Sequence, residues 1–188
     1  MKKFLTTKEL IICGLFASLT AICSQISIPL PFTPIPLTLQ VFSVFLSAII
    51  LGPKLGSISQ ITYVLIGAIG MPVFANMTGG LQKIAGPTGG YILSFPITAL
   101  VVGYFAMKPK LSMKILGVVL GMLITYAIGT TQLGLIADLN LTKSLMTGFI
   151  PFIPLDSIKV ALALIIGIQI RTRLTKSSLI PFTEKKVI

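Results

Sequence analysis

Long apolar runs separated by short polar segments make up most of this chain. Each run is close in length to the roughly 20 residues that an α-helix needs to cross about 30 Å of hydrocarbon. The pattern therefore predicts an all-α integral membrane bundle of six transmembrane helices. Their predicted limits are Leu10–Ile26, Leu37–Leu51, Leu55–Phe74, Tyr91–Met107, Met113–Leu135 and Pro154–Ile170.

The composition supports a membrane location. Of the 188 residues, 54% are hydrophobic and 10% are charged, whereas soluble domains carry roughly 25% charged residues. We expect one membrane domain over 1–188, with a basic N-terminus (1–9), a six-helix bundle (10–170) and a basic tail (171–188). A basic start before an apolar run is also typical of a signal peptide, but we expect this segment to be retained as the first helix.

The distribution of charge predicts the orientation in the membrane. Fifteen Lys and Arg residues oppose four acidic residues, for a net charge of +11. With the N-terminus in the cytoplasm, only Lys83 and Lys143 lie outside and Lys159 lies within a span, while all other basic residues are cytoplasmic. This asymmetry follows the positive-inside rule, so both termini should be cytoplasmic. The charges form no continuous patch, and we expect no nucleic-acid partner.

A glycine-rich polar segment interrupts the apolar pattern between the third and fourth spans. It reads ANMTGGLQKIAGPTGGYILSF (Ala75–Phe95). Glycines let the backbone approach a ligand closely, and Asn76 and Thr88 add hydrogen-bonding side chains. A long irregular segment in a compact domain is usually functional or disordered, and the interleaved apolar residues favour packing. The chain contains no Walker A motif, so we expect it not to hydrolyse ATP itself.

The strongest single signal is an acidic and a basic residue in the last span. Asp156 and Lys159 are three residues apart, which places them on one face of a helix. Ionisable residues at membrane depth are costly and usually face a cavity with a partner. The pair therefore indicates a ligand pocket. The alternative is an interfacial ion pair that anchors the helix end, with the lysine extended towards the surface.

Small residues recur along one side of the first span, at Gly14, Ala17, Ser18 and Ala21. The pair Ala17-x-x-x-Ala21 forms a small-xxx-small pattern, which lets another helix approach closely. That helix belongs either to a partner protein or to the same bundle.

Four segments, taken in order, carry a resemblance to a known family. They are PFTPIPLTLQ (31–40), LGPKLGSISQITYVLIGAIGMPVFA (51–75), GPTGGYILSFP (86–96) and FIPLDSIKVALA (152–163). Together they resemble the BioY family, the biotin-binding S-components of energy-coupling-factor transporters. The resemblance covers roughly residues 10 to 170, and GPTGGY combined with P-x-D-x-x-K is its most specific part.

This resemblance implies a fold, a location and a set of partners. It implies six helices with cytoplasmic termini in a plasma membrane of prokaryotic type, and biotin bound near the outer face. It also implies a transmembrane coupling subunit and two ATPase subunits as partners. Ala17 and Ala21 match the residues with which family members contact the coupling subunit.

The resemblance also implies the residues that bind biotin, which are Gln40, Asn76, Thr88, Gly89, Tyr91, Asp156 and Lys159. An ionised carboxylate only accepts hydrogen bonds and an ammonium group only donates them. Asp156 therefore suits a ureido N–H, and Lys159 suits the ureido oxygen or the carboxylate. Some members carry an arginine directly after GGY, where this chain has Ile92, so the partner of the biotin carboxylate stays open.

Other classes of protein fit the sequence less well. The chain has no histidine, and its two cysteines are ten residues apart on one predicted helix, so we expect no metal site and no cofactor. An intramembrane enzyme would need a nucleophile and a base, and no plausible pair is present. The main alternative is a standalone secondary transporter or facilitator of a small vitamin. A scaffold without a ligand would leave the polar segments unexplained.

Overall fold

A computed structural model of the chain describes residues 5–176. Residues 1–4 of the predicted N-terminus and 177–188 of the predicted tail lie outside the described residues. Within that range the chain forms α1 (Thr7–Gln25), α2 (Gln40–Ala68), α3 (Leu81–Ala85), α4 (Gly89–Ala106), α5 (Leu111–Ile136), α6 (Leu141–Gly148) and α7 (Ile153–Lys176), with two short strands, β1 (Ser27–Ile28) and β2 (Leu37–Thr38).

The helical membrane fold expected from the sequence is confirmed in its broad outline. Five helices in the described range, namely α1, α2, α4, α5 and α7, are long and apolar enough to cross a membrane. Most of the second and third predicted spans lies in α2, which reverses direction at Gly52. The expected limits are wrong at the outer ends, because Leu37–Thr38 form β2 and the helix ends at Ala68 rather than Phe74. The proline-rich segment before α2 is not helical, and its ends pair as an antiparallel ribbon in which Ser27 lies opposite Thr38.

The two halves of α2 lie antiparallel. Gly52 has φ 80° and ψ −175°, a conformation that is not helical and that only glycine adopts readily. Across the reversal, the Gln40 amide donates to the Tyr63 hydroxyl at 2.6 Å and the Gln60 amide donates to the Ser47 hydroxyl at 3.0 Å. A straight helix would hold Ser47 and Gln60 about 20 Å apart. The element therefore passes twice through the bundle.

The Gly52 turn packs against the ends of α4 and α7. A Cβ added to Gly103 of α4 would lie 2.6 Å from the carbonyl carbon of Gly52, so the two backbones touch. Arg171 of α7 donates to the carbonyl oxygens of Ile49 and Ile50 at 3.1 and 2.8 Å. These carbonyls have no helical partner because the first half of α2 ends there, and the guanidinium satisfies them.

The core forms around α2, which packs against α1, α4 and α7. Its buried apolar side chains include Val44, Phe45 and Ile49, all at most 1% exposed. By contrast, α1 and α5 keep large apolar side chains on their outer faces, such as Leu15 at 60% and Leu123 at 52% exposure. An exposed apolar surface of this kind fits a lipid surrounding.

Candidate functional site

A cavity opens at the end of the bundle opposite the Gly52 turn. Both α4 and α7 run from the cavity, at Thr88 and Asp156, to the turn, at Gly103 and Arg171. The space between its walls, with the open mouth included, is about 630 Å³. It is lined by Ile35, Pro36, Leu37, Thr38, Gln40, Val41, Ala75, Lys83, Thr88, Tyr91, Ile92, Phe95, Thr125, Tyr126, Phe152 and Asp156.

Asp156 and Lys159, which their spacing places on one face of a helix, form an ion pair. Asp156 is 5% exposed, and its Oδ1 accepts from the Lys159 ammonium at 2.8 Å. The same ammonium donates to the Thr38 carbonyl at 2.7 Å. Lys159 does not line the cavity. It links α7 to strand β2, and it neutralises the Asp156 carboxylate without being part of the cavity wall.

Tyr126 is a site residue that the sequence did not reveal. Its hydroxyl donates to Oδ2 of Asp156 at 2.7 Å, so each carboxylate oxygen accepts one hydrogen bond from the protein. Its ring packs edge-on against Tyr91 and Phe149, with centroids 6.4 and 4.8 Å apart. A tyrosine within an apolar span was the available signal, because a buried hydroxyl needs a polar partner.

Tyr91 contributes its ring rather than its hydroxyl to the cavity. The hydroxyl donates to the carbonyl oxygen of Gly148 at 2.8 Å, which ties α4 to the end of α6. The ring remains on the cavity wall beside Tyr126. This arrangement suits contact with an apolar part of a ligand.

The glycine-rich segment is ordered by Gln132 of α5, another residue missed by the sequence analysis. Its amide donates to the carbonyls of Ile84 and Gly86 at 2.7 and 2.8 Å. Gly89 lies directly against the Ile84 carbonyl and leaves no room for a Cβ, so its role here is close packing. The segment is therefore held on α5, and it presents Thr88 to the cavity.

Thr88 carries an unused polar group. The residue is 8% exposed and lines the cavity. Its hydroxyl has no hydrogen-bond partner among the described residues. Buried polar groups are nearly always paired, so an unpaired hydroxyl on a cavity wall points to a ligand.

Two of the predicted site residues are placed differently from the expectation. Asn76 is exposed in a single 3-10 turn, with φ 59°, and it does not line the cavity, although its neighbour Ala75 does. Gln40 lines the cavity, but its amide nitrogen is bonded to Tyr63 and its amide oxygen accepts from Thr38 at 3.1 Å. The nitrogen and the oxygen of the Gln40 side-chain amide thus each have a partner within the protein.

The small-residue strip on α1 divides between the inside and the outside of the bundle. Ala17 is 3% exposed and belongs to the core, and Ala21 is half-buried against it. Ser18 is exposed, and the space beside the Cα of Gly14 is open. The strip therefore packs α1 against α2 through Ala17, and its accessible part is formed by Gly14 and Ser18.

A bundle of apolar helices with a cavity at one end, and a nearly buried carboxylate on the cavity wall, defines a membrane protein that binds a small ligand. The chain belongs to the BioY family, whose model matches residues 1–176. It is 42% identical to the biotin transporter BioY of Thermotoga maritima over 165 residues, covering 87% of this chain and 96% of that protein. It is 31% identical to the biotin transporter BioY of Rhizobium etli over 174 residues, covering 87% and 92%.

Solved structures show the same architecture. One is a crystal structure of the S-component for biotin from an ECF-type ABC transporter, with a TM-score of 0.81 and 27% identity over 92% of this chain and 95% of that chain. A second, the S component of a bacterial ECF transporter, matches with a TM-score of 0.59 at 18% identity over 91% and 97%. The second likeness supports the fold alone.

Proposed function

We propose that this chain is the biotin-binding membrane subunit of a vitamin uptake transporter of the energy-coupling-factor type. The observation that carries the proposal is the Asp156 carboxylate, nearly buried on the cavity wall and held by both Lys159 and Tyr126. The family membership and the likeness to an S-component for biotin support the same ligand.

The hydrogen-bonding capacity of Asp156 fits the ureido group of biotin. Each carboxylate oxygen accepts roughly two hydrogen bonds, and the protein supplies one to each. One position on each oxygen is left for a donor from the ligand. The ureido group carries two N–H donors, and an ionised carboxylate, which only accepts hydrogen bonds, can receive both. The free hydroxyl of Thr88 adds a further donor or acceptor on the wall.

The apolar parts of biotin match the remaining wall. The fused bicycle and its thioether ring are apolar outside the ureido group, and Tyr91, Tyr126 and Phe95 supply aromatic surface. A site that combines a few fixed polar groups with an apolar lining is typical of small-molecule recognition. It also rejects analogues that lack the matching donors, because its own groups are left unpaired.

We further propose that the chain crosses a prokaryotic plasma membrane six times with both termini in the cytoplasm. The antiparallel halves of α2 supply two of these crossings. Lys54 lies beside the Gly52 turn, Lys108 and Lys110 follow α4, and Arg171 contacts the turn. This basic end is the cytoplasmic one by the positive-inside rule, so the cavity opens to the outside.

Transport energy would come from other subunits. The chain contains no Walker A motif, and its family is one of transporters rather than enzymes. We therefore propose a transmembrane coupling subunit and two ATPase subunits as partners, with α1 as the contact helix. Uptake by cells that express the chain without those partners would instead indicate a standalone transporter.

The ligand can be identified without assuming it. The full chain is purified in detergent from cells fed biotin, thiamin and riboflavin, then denatured, and the released small molecules are measured together. We expect biotin, near one molecule per chain, and neither of the other vitamins. Release of thiamin or riboflavin from folded protein would overturn the proposed ligand.

A further inference from the structure

The cavity contains a second charged group that the proposed contacts with the ureido group do not use. Lys83, on the short helix α3, lines the cavity and is half-buried. Among the residues that the structure describes, no hydrogen bond or ion pair occupies its ammonium group. Its backbone N–H and carbonyl are bonded within the turn, to Gly80 and Gly86.

The charges around the cavity leave Lys83 uncompensated. Asp156 is the acidic residue that lines the cavity in the described part of the chain, and Lys159 already neutralises it. With that pair balanced, the ammonium of Lys83 gives the cavity wall an excess of one positive charge. A ligand with a single negative charge complements this excess.

The position of Lys83 is fixed rather than incidental. Gln132 holds the carbonyl of the next residue, Ile84, and that of Gly86. Thr88 belongs to the same glycine-rich segment, which Gln132 holds against α5. Its hydroxyl has no partner among the described residues, and the residue lines the same cavity. Two polar groups without protein partners are thus presented by one segment that is bonded to α5.

We infer that Lys83 binds the carboxylate of the ligand, an inference that rests on the proposed function. The nearly buried Asp156 receives the neutral ureido end, and the half-buried Lys83 receives the charged end nearer the mouth of the cavity. This orientation keeps the carboxylate partly hydrated, which lowers the cost of desolvating it. Lys159 is less suited to this role, because Asp156 already balances its charge and Asp156 and the Thr38 carbonyl hold two of its three donors.

The residue directly after GGY, Ile92, does not supply this charge. Ile92 is 5% exposed and lines the cavity with an apolar side chain. It offers no hydrogen bond to a carboxylate. A cation on the neighbouring glycine-rich segment supplies the charge from a different position in the sequence.

The test compares biotin with its methyl ester, which keeps the ring system and removes the negative charge. Both are titrated calorimetrically into the purified full chain and into Lys83→Met, Lys83→Arg and Lys143→Met. Lys143 is the matched control, because it is exposed on α6 at the same end and does not line the cavity.

We expect Lys83→Met to weaken biotin binding by about 10- to 100-fold, the usual size of a lost charge-assisted hydrogen bond, and to leave ester binding unchanged. Lys83→Arg should retain most of the affinity for biotin, and Lys143→Met all of it. Equal affinity of the unaltered chain for biotin and the ester would overturn the inference, as would a Lys83→Met variant that still prefers biotin. If the unaltered chain binds neither compound, the proposed function fails, and this inference fails with it.

Discussion

The hydroxyl of Thr88 gives the most specific prediction at the scale of single residues. In the free protein it is buried without a partner, which is unfavourable, whereas a ligand on the cavity wall would satisfy it. We expect Thr88→Val to leave the melting temperature of the free protein unchanged or raised. Biotin affinity should fall about 2- to 10-fold, as for one neutral hydrogen bond. Thermal unfolding with and without biotin measures both effects.

Ser59 offers a matched control for the Thr88 experiment. Its hydroxyl is also buried without a partner among the described residues, but it does not line the cavity. Ser59→Ala should therefore leave biotin affinity unchanged. If Thr88→Val keeps full affinity, the hydroxyl does not face the ligand.

Spacing along the chain placed Asp156 and Lys159 on one helix face, whereas the other predicted site residues rested on the family resemblance. Asp156 and Lys159 are paired within one helical turn, so their spacing alone was sufficient. Tyr126 reaches Asp156 across 30 positions, and Gln132 reaches Ile84 across 48. Such contacts depend on how helices are arranged in three dimensions, and no local pattern encodes them.

The reversal of α2 is the main feature at the scale of elements. Its positive φ at Gly52 is strained for any residue with a side chain, and a Cβ there would lie 3.3 Å from the Met107 sulfur. We expect Gly52→Ala to lower the free energy of unfolding by about 1–3 kcal/mol. Thermal unfolding in detergent measures the change.

Gly14 provides the comparison for that substitution. It lies within helix α1, and nothing is found within 4 Å of an added Cβ. Gly14→Ala should therefore be neutral or stabilising by up to about 1 kcal/mol, from helix propensity. Equal effects of the two substitutions would contradict the strained turn.

Apolar runs predicted the positions of the helices, but not the details of their connections. The predicted spans divide at residues 52–54, and the helix reverses direction there, at Gly52. The β1–β2 ribbon was not predicted, since two paired residues in each strand give no recognisable alternation.

The assembly with other subunits is a question for the whole molecule. Ala17 is enclosed in the core, so a bulky residue there would disrupt the bundle and would not report on docking. Ser18 is exposed on the same strip. We expect Ser18→Trp to leave biotin binding unchanged and to reduce uptake sharply in cells that contain the coupling and ATPase subunits, because it prevents close helix contact.

The control for docking is Leu123→Trp on the exposed face of α5, where Leu123 is 52% exposed. This variant should take up biotin normally. Normal uptake by Ser18→Trp at equal expression would show that α1 is not the contact helix.

The most direct test of the account is a calorimetric titration of biotin into the purified chain and into Asp156→Asn, with Ser157→Ala as the exposed neighbour for comparison. We expect one biotin per unaltered chain, the same for Ser157→Ala, and an affinity at least tenfold lower for Asp156→Asn. An amide is uncharged and gives up the charge-assisted hydrogen bonds, which are worth about 1.5–3 kcal/mol each. No binding by the unaltered chain, or equal binding by Asp156→Asn, would contradict the account.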